Sequence, residues 1–198
     1  SCIALEVVVI PDATKAIKSN AFDGCTSLRE VAFGNSSLTL LGSRAFKKCI
    51  SLVSVTLPDS LVTLALGTHS TLVYNHDKSR AFEDCISLRT VVIGDGLTTL
   101  PKEAFKGCTS LQNVTIGSAE TTIDAAAFSG CGAITALNLR TPLVEVSYTG
   151  QSTFLMTYFS ASASKVQHLT LGGKVTKVGL CAFKKASGLE SVTMESSL

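Results

Sequence analysis

The sequence predicts an α/β-type repeat protein, mostly β: a solenoid of about eight stacked units of about 23 residues, with a parallel strand sheet on its concave face. Three recurring features predict it. Ala-Phe pairs stand at Ala21-Phe22, Ala45-Phe46, Ala81-Phe82, Ala104-Phe105, Ala127-Phe128 and Ala182-Phe183. Three residues after each of the first five Phe comes a Cys: Cys25, Cys49, Cys85, Cys108 and Cys131. Three residues further an apolar pattern of positions one, four and six begins: Leu28-Val31-Phe33, Leu52-Val55-Leu57, Leu88-Val91-Ile93, Leu111-Val114-Ile116 and Ile134-Leu137-Leu139. The same pattern precedes the first Ala-Phe at Leu5-Val8-Ile10, with Cys2 in the matching place, and returns at Val166-Leu169-Leu171 and Leu189-Val192-Met194. First positions are spaced 23, 24, 36, 23, 23, 32 and 23 residues apart.

Each part of the unit has a physical reason. Positions four and six lie two apart, so an extended strand points both to one side and position five to the other. Pro11, Pro58, Gly94, Gly117 and Gly172 follow the strand and supply turn chemistry where the chain bends away. A second apolar set comes next, as in Leu38 and Leu41, Leu61 and Leu64, or Leu97 and Leu100. The Ala-Phe segment closes the loop and is too short for more than about one helical turn. One such unit cannot bury its apolar residues alone, so neighbours stack and share a continuous core. The whole of 1–198 reads as one solenoid domain, interrupted near 67–78 and 142–158 where the spacing lengthens.

The unit A-F-x-x-C-x-S-L-x-x-V-x-[LIF]-[PG] resembles the BspA-like leucine-rich repeats. The residues that carry the resemblance are the Ala-Phe pairs, the recurring cysteines and the steps Ser27-Leu28, Ser51-Leu52, Ser87-Leu88 and Ser110-Leu111. The period of about 23 lies inside the range of roughly 20–29 residues for leucine-rich repeats. The resemblance implies a non-catalytic protein-interaction module, in the setting of a cell-surface or secreted adhesion or ligand-binding domain. It supplies no catalytic residue to carry over. The alternative is an architectural scaffold subunit of a larger assembly.

Composition excludes several classes. Hydrophobic residues make up 45% and charged residues 16%, enough apolar content for a sizeable core and against disorder. A net charge of +2 argues against nucleic acid as a partner. No apolar run approaches the roughly 18 residues of a membrane span. Residues 3–10 are interrupted by Glu6 and stopped by Pro11, without the basic start or cleavage site of a signal peptide. The chain lacks an initiator Met and a polar capping unit at either end. It therefore reads as a fragment, a processed form or a stack whose uncapped ends neighbours cover.

Seven cysteines invite a disulfide framework. The repeat favours a ladder instead. Cys2, Cys25, Cys49, Cys85, Cys108 and Cys131 occupy one slot per unit, roughly 5 Å apart once stacked. Their side chains then point inward in parallel, whereas a bridge needs converging Cβ vectors. Buried free thiols acting as small hydrophobes fit better. Zinc does not fit spacings of 23 or more without a CxxC pair. Phe22, Phe46, Phe82, Phe105, Phe128 and Phe183 make the parallel aromatic column. Cys181 stands outside the cysteine column.

Three surfaces are candidates for binding a protein or glycan. The first is the exposed strand face, read from Val9, Ala32, Thr56, Val92, Thr115, Asn138, Thr170 and Thr193, with Arg89 and Gln112 beside it. Its bland reading is a solvated sheet surface chosen for strand propensity; its functional reading is the extended face by which solenoids recognise partners. The second is the pair of interruptions, which hold Tyr74, His76, Tyr148, Phe154 and Met156. These are either presented loops or aromatics plugging the core of a degenerate unit. The third is a basic edge near the Ala-Phe corners, including Arg44, Lys47, Lys48, Arg80, Lys102 and Lys106, diluted by Glu83 and Glu103. Catalysis is not indicated. His69, His76 and His168 are the near-neutral bases, and the repeat places none of them beside a ladder cysteine. A metal site from His69, His76 and Asp77 would sit on a loop with no further groups to orient its ligands, no phosphate-binding glycine motif occurs, and no cofactor is implied.

Overall fold

In the computed structural model, residues 2–34, 37–64, 79–119, 121–141, 153–172 and 174–195 are described. Tyr74, His76 and Tyr148, together with His69 and Asp77, fall outside them. The chain winds as a parallel-strand β-solenoid of about seven turns, almost without helix. Each one-four-six pattern becomes a strand: β1 (Val7–Val9), β3 (Glu30–Ala32), β5 (Ser54–Thr56), β7 (Thr90–Ile93), β9 (Asn113–Ile116), β11 (Ala136–Leu139), β12 (His168–Leu171) and β13 (Ser191–Met194). β5, β7, β9, β11, β12 and β13 form one six-stranded sheet in that order, and β1 pairs with β3 beside it.

Register puts like positions side by side. Val55 pairs with Val91, Val91 with Val114, Val114 with Leu137, Leu137 with Leu169 and Leu169 with Val192. A strand slipped by one residue would turn this column to solvent, so the apolar side specifies the register. The second apolar set forms β2 (Ala16–Ile17), β4 (Leu40–Leu41) and β6 (Thr63–Leu64), a three-stranded parallel sheet, and the pair β8 (Thr99–Leu100) and β10 (Thr122–Ile123). Leu41, Leu64, Leu100 and Ile123 point from these into the core.

The Ala-Phe corners are tight turns. The Phe46, Phe82 and Phe105 amides donate to the carbonyls of Ala81, Ala104 and Ala127 in the following unit, at 2.8, 2.9 and 2.9 Å. Ala is buried at each, because the next unit's main chain lies against it. The turn also needs left-handed backbone at two places that sequence periodicity does not reveal. The residue before Ala has positive φ at Asn20 (59°), Arg44 (57°), Arg80 (52°), Glu103 (61°) and Cys181 (60°). The residue before Cys does so at Gly24 (73°), Lys48 (57°), Asp84 (62°), Gly107 (74°) and Gly130 (80°). Cys181 stands outside the column because it holds the first of these positions.

Both expected columns are present. Rings of Phe22 and Phe46, Phe46 and Phe82, Phe82 and Phe105, and Phe105 and Phe128 stack at 5.0, 5.4, 5.1 and 5.5 Å, within 8° of parallel. Phe159 then takes the column place against Phe128 at 5.0 Å. Phe183 is reached through Phe154, which meets Phe159 at 5.9 Å and Phe183 edge-on at 6.4 Å. Cys25, Cys49, Cys85, Cys108 and Cys131 are buried and unbridged, whereas Cys2 is exposed. The thiols of Cys49, Cys85, Cys108 and Cys131 each donate to the carbonyl of the preceding unit's Phe, at 3.1–3.2 Å. Each of these carbonyls also accepts from the Cys amide three residues on, at 3.2–3.4 Å, so the thiol is its second donor inside the core. Where the column lacks cysteine, Ser162 fills the slot three residues after Phe159; its hydroxyl donates to the Cys131 carbonyl and accepts from the Ile134 amide.

Candidate binding face

The side of the main sheet turned away from the core carries its side chains in rows set by strand register. In the central row Thr56 stands beside Val92, then Thr115, Asn138, Thr170 and Thr193. A second row runs Ser54, Thr90, Asn113, Ala136, His168 and Ser191. A third lies just before the strands, where main-chain bonds stack Arg89, Gln112, Thr135, Gln167 and Glu190: each amide donates to the previous carbonyl at 2.8–3.0 Å. Neighbours in a row are therefore about 4.8 Å apart.

The face changes character along its length. At β1 it is apolar, with Val7 and Val9 exposed, and Val53 adds to that before β5. From β7 onward it presents hydroxyl, amide and guanidinium groups. Some are already engaged: Gln167 donates to Glu190 at 2.8 Å, and His168 Nδ1 lies 3.0 Å from Ser191 Oγ. Asn138 differs. Its side-chain oxygen is shielded from solvent and has no hydrogen-bond partner among the described residues. An acceptor left this way costs about 1–3 kcal/mol until a donor meets it.

The second candidate surface is altered by the structure. Phe154 does not project from a presented loop: it is 0% exposed, buried with Leu155 in the core. The helix α1 (Phe154–Tyr158) places it there, starting at Thr153, whose hydroxyl accepts from the Met156 amide at 3.2 Å. The Phe154 amide donates to the Ala182 carbonyl at 3.0 Å, the bond that Phe makes at the regular corners. In this degenerate unit two rings, Phe154 and Phe159, share the space one Phe fills elsewhere. Met156 is exposed beside them.

The basic edge is partly neutralised. Glu83 and Glu103 are buried and sit among the cations, with Lys47 2.6 Å and Lys106 3.3 Å from Glu83, and Arg80 2.7 Å from Glu103. Burial alone would raise the Glu83 pKa, but Lys47, Lys106 and Arg80 hold it below the usual carboxylate value. Carboxylates also cap the turns after the strands. Asp59 Oδ1 accepts from the Asp95 amide at 2.8 Å, and Asp95 Oδ1 from the Ser118 amide at 2.7 Å. These caps escape a search for apolar periods because they are polar and appear in some units alone. Among the described residues no group of three or more His, Cys, Asp or Glu could hold a metal ion. No helix among them is long and apolar enough to cross a membrane.

Comparison with known proteins agrees with this geometry. The family model for the BspA type leucine rich repeat region matches in six copies, over residues 1–71 and 78–198. A leucine-rich repeat protein from Bacteroides ovatus is 22% identical, with a TM-score of 0.58 over 98% of this chain and 50% of its own. The T. pallidum leucine rich repeat protein is also 22% identical, with a TM-score of 0.59 over 84% of this chain and 73% of its own. The chain thus spans half the length of the Bacteroides protein. No curated protein matches it.

Proposed function

Since this chain belongs to the BspA type leucine rich repeat family, typical of protein-interaction and surface repeat proteins, we propose that residues 1–198 work as one solenoid domain that binds a protein partner along the polar half of the main sheet. The contact runs across β7 to β13, through Arg89, Gln112, Thr115 and Asn138, with Val92 and Thr56 at its margin. The single observation that carries this is the register of the outward rows. From Thr115 through Asn138 and Thr170 to Thr193 the central row gives an extended partner a hydroxyl or amide group about every 4.8 Å. The setting in this proposal is adhesion at a cell surface or by a secreted protein, without catalysis.

Panning a displayed peptide library on the folded chain tests the reading. Selected peptides should lose at least about tenfold in affinity to a Gln112→Ala, Thr115→Ala, Asn138→Ala triple variant, each lost hydrogen bond contributing roughly 0.5–1.5 kcal/mol. They should bind normally to a Lys15→Ala, Lys18→Ala variant, which removes two charges of the basic edge either side of β2, next to the first Ala-Phe corner. The reverse pattern places the interface on the corners and overturns the reading. A second reading is an architectural subunit of a larger assembly. Light scattering at rising concentration separates the two: a constant monomer mass counts against the subunit.

A further inference from the structure

Between the second and third units the main sheet opens. β3 pairs with β1 while β5 begins the six-stranded sheet, and the two are not paired with each other. Among the described residues, one main-chain bond crosses from the start of β5 to the start of β3: the Val53 amide to the Arg29 carbonyl at 3.4 Å. The matching bond one unit later, Arg89 to Val53, is 2.8 Å. At the far end of the strands the Ile10 amide donates to Ala32 and the Leu57 amide to Val92, each at 2.8 Å; among the described residues no such bond leaves the Phe33 amide. Behind the sheet the same units stay closed, with Leu40 paired to Thr63 and Leu41 to Leu64, and the Phe22 and Phe46 rings stacked at 5.0 Å.

Phe33 is the wedge. Position six is aliphatic at Ile10, Leu57, Ile93, Ile116, Leu139 and Leu171, but aromatic here. Its ring is buried and stands edge-on to Phe46, 6.2 Å away and 80° from parallel. The cleft that results has a volume of about 360 Å³ and is bounded by Arg29, Phe33, Gly34, Ser54, Thr56 and Pro58 among others. Parallel strands send alternate residues' amides and carbonyls to opposite neighbours. The Val53 carbonyl and the Leu57 amide bond toward β7, and the Ala32 carbonyl toward β1. The amides and carbonyls of Val31, Ser54 and Thr56 therefore face into the cleft with no strand partner, with the Ser54 and Thr56 hydroxyls on the sheet surface beside them.

We propose that this cleft binds a small polyhydroxylated ligand, a single sugar ring, either free or at the end of a glycan chain. The lining alternates donors with acceptors, and vicinal hydroxyls both donate and accept. A phosphate or carboxylate would satisfy the amides and Arg29 but be repelled by the unpaired carbonyls and by Glu30, which also lines the cleft, so the charged lining gives an anion no net advantage. An apolar ligand would leave every one of these groups unpaired. An inserted peptide strand needs two strand spacings, about 9.6 Å, which the closed stacking behind the sheet denies it. The volume lies at the lower end of the roughly 300–1,000 Å³ of small-molecule pockets. The site shares only Thr56 with the margin of the protein interface across β7 to β13, and either can fail without the other.

Amide spectra of the ¹⁵N-labelled chain, titrated with glucose, galactose, mannose and N-acetylglucosamine and with trisaccharides ending in each, test the proposal. At least one sugar should shift the amides of Val31, Phe33, Ser54 and Thr56 saturably. A trisaccharide that binds more tightly than its free sugar identifies a glycan end; equal binding identifies the free sugar. Ser54→Ala with Thr56→Val should weaken binding about five- to tenfold. Phe33→Leu should let β3 and β5 pair, slow hydrogen exchange at Ser54 and Thr56, and abolish binding. If that variant does not fold, the Ser54, Thr56 pair carries the test. Absence of a saturable shift at these amides with every sugar, or unchanged binding in either variant, overturns the proposal.

Discussion

Replacing Gly94 by Ala should destabilise the solenoid, although the same change at a conformationally ordinary glycine usually stabilises by about 0.4–1 kcal/mol through the unfolded chain. Gly94 is not among the glycines with positive φ, so the backbone itself would accept Ala. Space is what it lacks. A Cβ there would lie 2.7 Å from the Leu57 carbonyl oxygen, 2.7 Å from the Pro58 carbonyl carbon and 2.7 Å from Asp59 Oδ1. Carbon makes comfortable contacts at about 3.5–4.0 Å, so the unit would have to move by nearly 1 Å. The flanking β5–β7 pairing resists that shift. Overpacking of this kind costs about 1–3 kcal/mol, and displacing the Asp59 carboxylate from the Asp95 amide adds about 1 kcal/mol. After the unfolded-state gain, a net loss of about 1–3.5 kcal/mol is expected. Gly132 is the internal control: its added Cβ meets nothing nearer than the Ala161 carbonyl at 3.8 Å. Other units carry Thr26, Ile50, Ile86 or Thr109 at the same place. Gly132→Ala should be neutral or slightly stabilising. Urea unfolding followed by circular dichroism measures both, and stabilities within about 0.5 kcal/mol of each other would refute the steric account of the turn glycines.

Three further outcomes follow from the columns and corners. Phe82→Ala should cost about 3–5 kcal/mol or more, since the ring is buried and stacked on both sides, whereas half-buried Phe22, stacked on Phe46, should cost less than half as much by the same unfolding assay. Lys48→Gly should stabilise by about 0.5–1 kcal/mol, because its φ of 57° is the conformation Gly24, Gly107 and Gly130 hold elsewhere, and Lys48→Ala should show no gain. Burial pushes the Cys49 thiol up to about 12 and raises Cys85 well above its ordinary value; a hydrogen bond with Cys131, together with burial, does so for Cys108. The unfolded chain ionises these thiols first, so their contribution to stability should be constant below about pH 9 and be lost as pH rises from there toward 12. At pH 8 a maleimide should label exposed Cys2 at once and Cys49, Cys85 and Cys108 on unfolding; immediate labelling of all would contradict the buried column.

Which parts were legible in the sequence follows from how each is encoded. The strands were visible because the one-four-six pattern is a statement about side-chain direction, and Phe46, Cys49 and Leu52 repeat it unit after unit. Ser162 could have been found by counting three from Phe159. The positive-φ positions could not have been read at Arg44, Lys48, Arg80 or Glu103, because the side chains there are not those left-handed backbone prefers. Phe154 carried two readings, a presented aromatic or a core plug, and burial decides for the plug. Tyr74, His76 and Tyr148 lie outside the described residues, and a role for them stays with the proposal of a binding surface.

By itself the sequence determined the fold family, the repeat length, the inward columns of Phe and Cys and the outward position of Thr115 and Asn138. All of these follow from local periodicity under one stacking rule. Only the tertiary structure decided what neighbouring units do to each other. It set the carboxylates Glu83 and Glu103 among the corner cations, put the Asp59 cap over Gly94, and opened the sheet between β3 and β5 around Phe33. These depend on the distance between residues more than 20 positions apart in the chain, which a pattern read along one strand does not contain.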